Sequence, residues 1–293
     1  MTAVPLSVGL VGLGLVGTAL GQRLTNAGFE VLGFDLRHEA AAAWAAAGGR
    51  VAADLPELGA RCARVVLAVF DTAGVLQVLE GPGGLLQTGT PAAVVDCSTG
   101  DPAALQALAR RLAARGVDFI EAPLSGSSQQ IADGQATLLL GATPEAAQRH
   151  ADLLQALSPA RVHVGGPGLG AGAKLATNLV LGLNRAALAE GLALAERLGI
   201  EPEAFLQLVL ATPARSDAAL VKGRRMVRGE FEPQSRIRQH LKDVQLMLDA
   251  AQAAGQRLPL STVHAALLQA AVDAGDGDLD NAAIVRQLRR ETF

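Results

Sequence analysis

Of the 25 basic residues in the 293-residue chain, three are lysines (Lys174, Lys222 and Lys242) and the rest are arginines. Arginine stays protonated at any working pH, whereas a lysine stripped of water can give up and regain a proton. General surface charge is supplied here by arginine, so the few lysines are candidates for proton transfer. Lys174 lies in GLGAGAKLATN, at the start of a segment from Gly170 to Leu198 that is apolar on almost every face. An ammonium in such a helix is unstable without a partner or a cleft. Asn178 follows at i+4, which places its amide on the same helix face as the lysine. The plainer reading is a lysine snorkelling to the surface near the helix start.

A second chemical signature is VGLVGLGLVGTALGQRL, in which Gly12, Gly14 and Gly17 form GxGxxG directly after a strand and at a helix start. Gly12 permits the tight turn, Gly14 lets the backbone approach a pyrophosphate, and Gly17 lets the helix pack on the sheet. The intervening Leu13, Leu15 and Val16 belong to the same cofactor-binding loop. Asp35 ends the run VLGFD, about 20 residues on, where an acid accepts hydrogen bonds from adenosine ribose hydroxyls. That predicts NAD in preference to NADP, with Arg37 softening the preference and NADP still possible.

The elements that must carry these residues follow from pattern and length. A chain of 293 residues exceeds one ordinary core, so two domains are expected. LSVGLVG, FEVLGFD, RVVLAVF, AAVVDCS, GVDFIEA, QATLLLG and ARVHVG read as strands alternating with helices, the pattern of βαβ units. PAALQALARRLAARG reads as a helix stopped by Gly116, and PEAAQRHADLLQALS as one helix opening on Pro144. The pattern changes at Gly165-Gly166-Pro167-Gly168, after which further helices are expected around 202–211, 215–228, 237–254 and 261–273. The predicted fold is α/β: a Rossmann domain with a mostly parallel sheet over 1–165, then an all-helical substrate and dimerisation domain over 166–293. A long buried interdomain helix carries Lys174.

Several function classes are excluded or disfavoured. A net charge of -3 offers no broad basic surface for nucleic acid or an anionic membrane. Cys62 and Cys97 have no metal-ligand spacing and suit a reducing compartment. Val4 to Leu20 is uncharged, but its glycines and the lack of a preceding cation argue against a signal or membrane segment, and a cytoplasmic location is expected. His38, His150, His163, His240 and His264 are scattered, so no metal site or hydrolytic triad is assigned; His240 reads as structural. DAGDGDLDN at 273–281 lacks the closing glutamate of a calcium loop and reads as a loop with a helix cap.

With GLGLVG, four further strings occur in order: DCSTGDP from Asp96 to Pro102, EAPLSG from Glu121 to Gly126, GLGAGAKLATN from Gly168 to Asn178, and LKD from Leu241 to Asp243. In these the chain resembles the β-hydroxyacid dehydrogenase family over nearly its whole length. The resemblance implies hydride transfer between NAD(P) and a small anionic 3-hydroxy acid or its semialdehyde, of the 3-hydroxyisobutyrate or tartronate semialdehyde type. It places Ser98 and Thr99 near the nicotinamide end of the cofactor, and Ser125 and Gly126 on the substrate carboxylate. It makes Lys174 the proton donor and acceptor, has Asn178 hold the substrate, and closes the site over the cofactor with Lys242. Phe70, ending RVVLAVF, is expected at the cofactor, and the assembly is expected to be a homodimer or homotetramer. The family usually continues Ser-Gly-Gly where this chain reads Ser125-Gly126-Ser127-Ser128, so Ser127 either meets a more polar substrate or caps a helix. The rival readings are an NAD(H)-sensing protein without turnover and an imine reductase on the same scaffold.

Overall fold

The computed structural model describes residues 7–290, so Val4 to Leu6, which enter the readings above, lie outside the described residues. Contacts divide the chain into two compact units, Met1–Lys174 and Leu175–Phe293.

Among the described residues the first unit is built on nine strands: β1 (Ser7–Val11), β2 (Glu30–Phe34), β3 (Arg50–Val51), β4 (Arg64–Leu67), β5 (Ala93–Asp96), β6 (Asp118–Glu121), β7 (Leu124–Ser125), β8 (Thr137–Gly141) and β9 (Arg161–Gly165). Their order is β3-β2-β1-β4-β5-β6-β8-β7, with β9 also paired to β8. Strands β1 to β6 are mutually parallel, and β8 runs antiparallel to β6 and β7. This is the doubly wound order whose ligand crevice lies outside the carboxyl ends of β1 and β4.

Strand side chains alternate between two apolar layers, as the two-residue period requires. Val8, Leu10, Val66, Val95 and Ile120 enter one layer with Leu20 and Leu24 of α1 (Leu15–Asn26). Val11, Val65, Leu67, Val94 and Phe119 enter the other with helix leucines such as Leu79 and Leu108. The remaining helices of the unit are α2 (His38–Ala46), α3 (Leu55–Arg61), α4 (Thr72–Glu80), α5 (Leu85–Thr88), α6 (Pro102–Ala113), α7 (Ser128–Ala132), α8 (Pro144–Arg149) and α9 (Ala151–Leu157). Asp101 caps α6 by accepting from the Ala103 amide, and Gly116 past its end takes φ +73°.

The single helix expected from Pro144 to Ser158 is two helices, broken at His150 with φ -110° and ψ 22°. The cause is tertiary: the His150 ring is tied 3.0 Å from Asp118, whose carboxylate also takes two hydrogen bonds from Arg149.

The chain continues through α10 (Leu169–Arg197), α11 (Pro202–Ala211), α12 (Asp217–Arg228), α13 (Ile237–Ala253), α14 (Pro259–Ala271) and α15 (Ile284–Arg290). Leu188, Leu192, Leu206, Met226, Val244, Met247 and Leu268 close the apolar core of the second unit. A π turn at Val272–Asp276 and a 3-10 turn at Asn281–Ala283 join α14 to α15. Here the acids of the 273–281 loop are used in the fold: Asp280 caps the 3-10 turn and pairs with Lys222, while Asp276 pairs with Arg286 and Arg290. Among the described residues no helix is long and apolar enough to cross a membrane.

Candidate active site

The glycine loop after β1 is shaped by conformation and by contact. Gly12 has φ +95°, and a Cβ there would stand 2.3 Å from the Ala68 carbonyl oxygen. A Cβ on Gly17 would stand 1.7 Å from the Gly12 carbonyl oxygen, so α1 meets the loop closely only with glycine at this position. Gly14 differs: a Cβ there would meet only the Arg37 guanidinium, at 3.6 Å. Gly14 caps α1 without a side-chain bond to the helix amides. An open glycine at a helix N-terminus is a cradle that a side chain would fill, and it fits a pyrophosphate.

Asp35, just past β2, accepts the Leu13 amide at 2.7 Å through one oxygen and the Arg37 amide at 2.8 Å through the other. Arg37 adds two side-chain bonds to the same carboxylate. Burial alone would raise the Asp35 carboxyl, but the Arg37 bonds and the Leu13 amide outweigh it and hold the group below the usual carboxylate range. The acid is therefore ionised where a ribose would lie, and it fixes the loop through Leu13.

Beyond β4 and β5 the same edge of the sheet carries Phe70 and Ser98. The Ser98 hydroxyl accepts the Val69 amide at 3.0 Å, which joins the two loops, and the Ser98 amide donates to buried Asp96 at 2.9 Å. Phe70 is half exposed and Thr99 partly buried. After β6 the chain brings Leu124, the first residue of β7, to Lys174: the ammonium Nζ donates to the Leu124 carbonyl at 2.5 Å. Lys174 is 8% exposed, so it does not snorkel away but stands on the residue that precedes Ser125-Gly126. Gly126 takes φ +153°, and a Cβ there would lie 2.8 Å from that of Ala136. Ser127 is the cap of α7: its hydroxyl accepts the Gln130 amide, and the Gln130 side chain accepts the Ser127 amide in return. Of the two sequence readings for Ser127, the structure thus shows the helix cap.

In the second unit Asn178 and Lys242 converge on one acid. Asn178 Nδ2 donates to Asp243 Oδ2 at 3.2 Å, and Lys242 Nζ lies 3.0 Å from Asp243 Oδ1. Both Asn178 and Asp243 are buried. His240, one turn before on α13, is buried against the His264 ring at 5.1 Å between centroids. A Cβ on Gly182 would lie 2.5 Å from His240 Nε2, so this glycine lets the imidazoles press on α10.

Comparisons with known proteins match both halves of the chain. Residues 7–166 match the NAD binding domain of 6-phosphogluconate dehydrogenase, more than half of the chain. Residues 168–288 match the NAD-binding domain model of NADP-dependent 3-hydroxyisobutyrate dehydrogenase. L-Threonate dehydrogenase of Cupriavidus necator is 32% identical over 96% of this chain and 95% of its own length. The chain belongs to the β-hydroxyacid dehydrogenase family. 2-Hydroxy-3-oxopropionate reductase of Escherichia coli is 29% identical over 97% of each chain. A 3-hydroxyisobutyrate dehydrogenase of Salmonella typhimurium superposes with a TM-score of 0.86 at 30% identity, covering 96% of this chain and 99% of that one.

Two acids of this β-hydroxyacid dehydrogenase carry no role in the sequence reading, although both stand inside its motifs. Asp243 orients Asn178 and Lys242 together, a link between positions 65 residues apart that spacing does not reveal. Glu121, 1% exposed at the end of β6, accepts amides from the start of α10. Apart from its place in EAPLSG, its trace in the sequence is an acid directly after the apolar pair Phe119-Ile120.

Proposed function

We propose that this β-hydroxyacid dehydrogenase oxidises a small 3-hydroxy acid, or reduces its semialdehyde, with NAD(P), and that Lys174 is the general acid/base. The observation that carries this reading is Lys174 itself, buried and held on the Leu124 carbonyl beside Ser125-Gly126. The nicotinamide supplies the hydride acceptor or donor when bound. In oxidation neutral Lys174 takes the hydroxyl proton of the substrate, and in reduction it returns a proton to the developing alkoxide. The Ser125 hydroxyl and Gly126 amide receive the carboxylate, since donors in a glycine turn bind an anion without net positive charge. Asn178, one turn from Lys174, aligns the substrate oxygen, with Asp243 fixing the amide. Ser127 favours a hydroxylated substrate. Gly12 to Gly17 and Asp35 hold the dinucleotide, with Phe70, Ser98, Thr99 and Lys242 toward its nicotinamide half. A homodimer or homotetramer belongs to the same proposal, with the exposed Val180, Leu194, Leu198 and Leu208 of the helical unit as candidate contact residues, and so does a cytoplasmic location.

The test is absorbance at 340 nm, with NAD and NADP against L-threonate and 3-hydroxyisobutyrate and with NADH and NADPH against tartronate semialdehyde and succinic semialdehyde, on wild type, Lys174→Arg and Lys174→Ala. Turnover by the wild type, with kcat lower by about 10²–10⁴ in both variants and NADH affinity unchanged, is the expected result. Activity retained by the arginine variant reduces the lysine to a fixed charge. Near-normal turnover by Lys174→Ala overturns the mechanism, and tight NADH binding with no turnover of any compound returns the sensor reading.

A further inference from the structure

Residues 121 to 124 run beside the first two turns of α10 and are fastened to it at both ends. Glu121 Oε1 accepts the Gly168 amide at 2.5 Å and Oε2 accepts the Ala171 amide at 2.8 Å, while the Leu124 carbonyl accepts from Lys174 Nζ at 2.5 Å. The lengths are comparable: three residues of extended chain span about 10 Å, and the five helical steps from 169 to 174 rise about 8 Å. The next two residues, Ser125 and Gly126, are the proposed carboxylate site. The position of the lysine relative to its substrate is thus set by how this short segment lies along the helix.

The fit around Glu121 is tight and specific to a carboxylate. A Cβ on Gly141 would lie 2.7 Å from Glu121 Oε2, and one on Gly170 would lie 2.8 Å from it. The end of β8 and the first turn of α10 therefore both go without side chains where the carboxylate enters. Asp96, the cross-strand neighbour of Glu121 on β5, is buried beside it. Burial pushes the Glu121 carboxyl up to about 7, against the amides of Ala171 and Gly168, which favour the ionised form. Keeping an acid here is unfavourable unless it fastens something.

We propose that Glu121 is a positioning residue: its grip on the first turn of α10 sets where the Lys174 ammonium stands over the Leu124–Gly126 segment. This rests on the reading of Lys174 as the acid/base. It gives Glu121 no contact with substrate and makes its effect on the reaction pass through the lysine.

Glu121→Gln keeps the shape but sets an amide hydrogen against one of the two helix amides. Gly170→Ala keeps the acid and crowds it from the helix side, while improving local helix propensity. Both are assayed with the compound the wild type turns over best, as kcat per NADH-binding site, with KM, NADH affinity and the pH dependence of kcat. The expected result is a ten- to hundredfold fall in kcat, NADH affinity within twofold, KM within threefold, and a displaced acid/base limb in the pH profile. A merely structural cap would lower the urea midpoint and leave kcat per site and that limb in place. The proposal is overturned by either variant that binds NADH and keeps kcat within twofold with an unmoved limb; Gly170→Ala decides alone where Glu121→Gln does not bind NADH. If Lys174→Ala is inactive while Glu121→Gln is normal, the positioning role fails and the lysine mechanism stands; if Lys174→Ala is active, the mechanism itself fails.

Discussion

At the residue scale the site depends on charged groups whose protons and partners are fixed by local bonds. Asp35 shows how one acid serves two purposes, holding the glycine loop through Leu13 and pairing with Arg37. Its carboxylate is held below the usual range, and in the proposed cofactor site it would repel a 2′-phosphate and accept ribose hydroxyls. The Arg37 side chain is 64% exposed and already at the mouth of this site, which makes it the group that would receive a 2′-phosphate once the acid is neutralised. The expected outcome is a higher kcat/KM with NAD(H) than with NADP(H) in the wild type. Asp35→Asn should close most of that gap by releasing Arg37, and adding Arg37→Ala should open it again. A wild type at least as efficient with NADP(H) removes the assigned preference.

At the element scale, α10 carries polar groups at Lys174, Asn178 and Arg185 along a face that otherwise packs with leucine and alanine. Arg185 is buried, and desolvation lowers its guanidinium to about 10 despite nearby Asp280. His264 of α14 faces this arginine and the His240 ring of α13, and burial, with Arg185 second, lowers its pKa from 6.5 to about 4. The unfolded chain therefore binds a proton at His264 between these two values when the folded chain does not. Its contribution to stability is present above pH 6.5 and is lost as the pH falls toward 4, by about 2–3 kcal/mol at pH 4.5. Urea unfolding of wild type and His264→Gln at pH 7 and pH 4.5 should show a smaller acid loss in the variant, whatever its stability at pH 7. An equal loss in both would assign the acid sensitivity elsewhere. The same elements show what sequence can and cannot carry. The seven long apolar runs and α10 were legible because each repeats its period several times. β3 and β7 have two residues each and no period to read, and the break at His150 comes from Asp118, 32 positions away. The fingerprint loop and Lys174 with Asn178 were legible because the chemistry is local, whereas Glu121 and Asp243 act on partners 47 and 65 positions off.

At the scale of the whole molecule, one edge of one sheet organises the chemistry of the first unit. Gly12 follows β1, Asp35 follows β2, Phe70 lies beyond β4, Ser98 beyond β5, and Leu124 with Ser125 beyond β6. Because these strands are parallel, every such loop opens at the same carboxyl edge, and the strand order reverses between β1 and β4 where the glycine loop stands. The opposite edge holds Ser7, Glu30, Arg50 and Arg61 around a cavity of about 20 Å³, room for little more than a water. The proposed dinucleotide site therefore lies at the carboxyl edge, and the consequence is measurable without substrate. Hydrogen exchange on the full chain, with and without saturating NADH, should show slower exchange in peptides covering 12–18, 35–38, 68–71 and 97–100. Peptides reporting on the amino ends of β1, β2 and β3 should exchange at the same rate in both conditions, since they lie a strand length from the ligand. A uniform slowing over the whole sheet would mean that NADH acts by global stabilisation. Protection concentrated at the amino edge would place the cofactor outside the glycine loop and undo the assignment of Asp35 along with it.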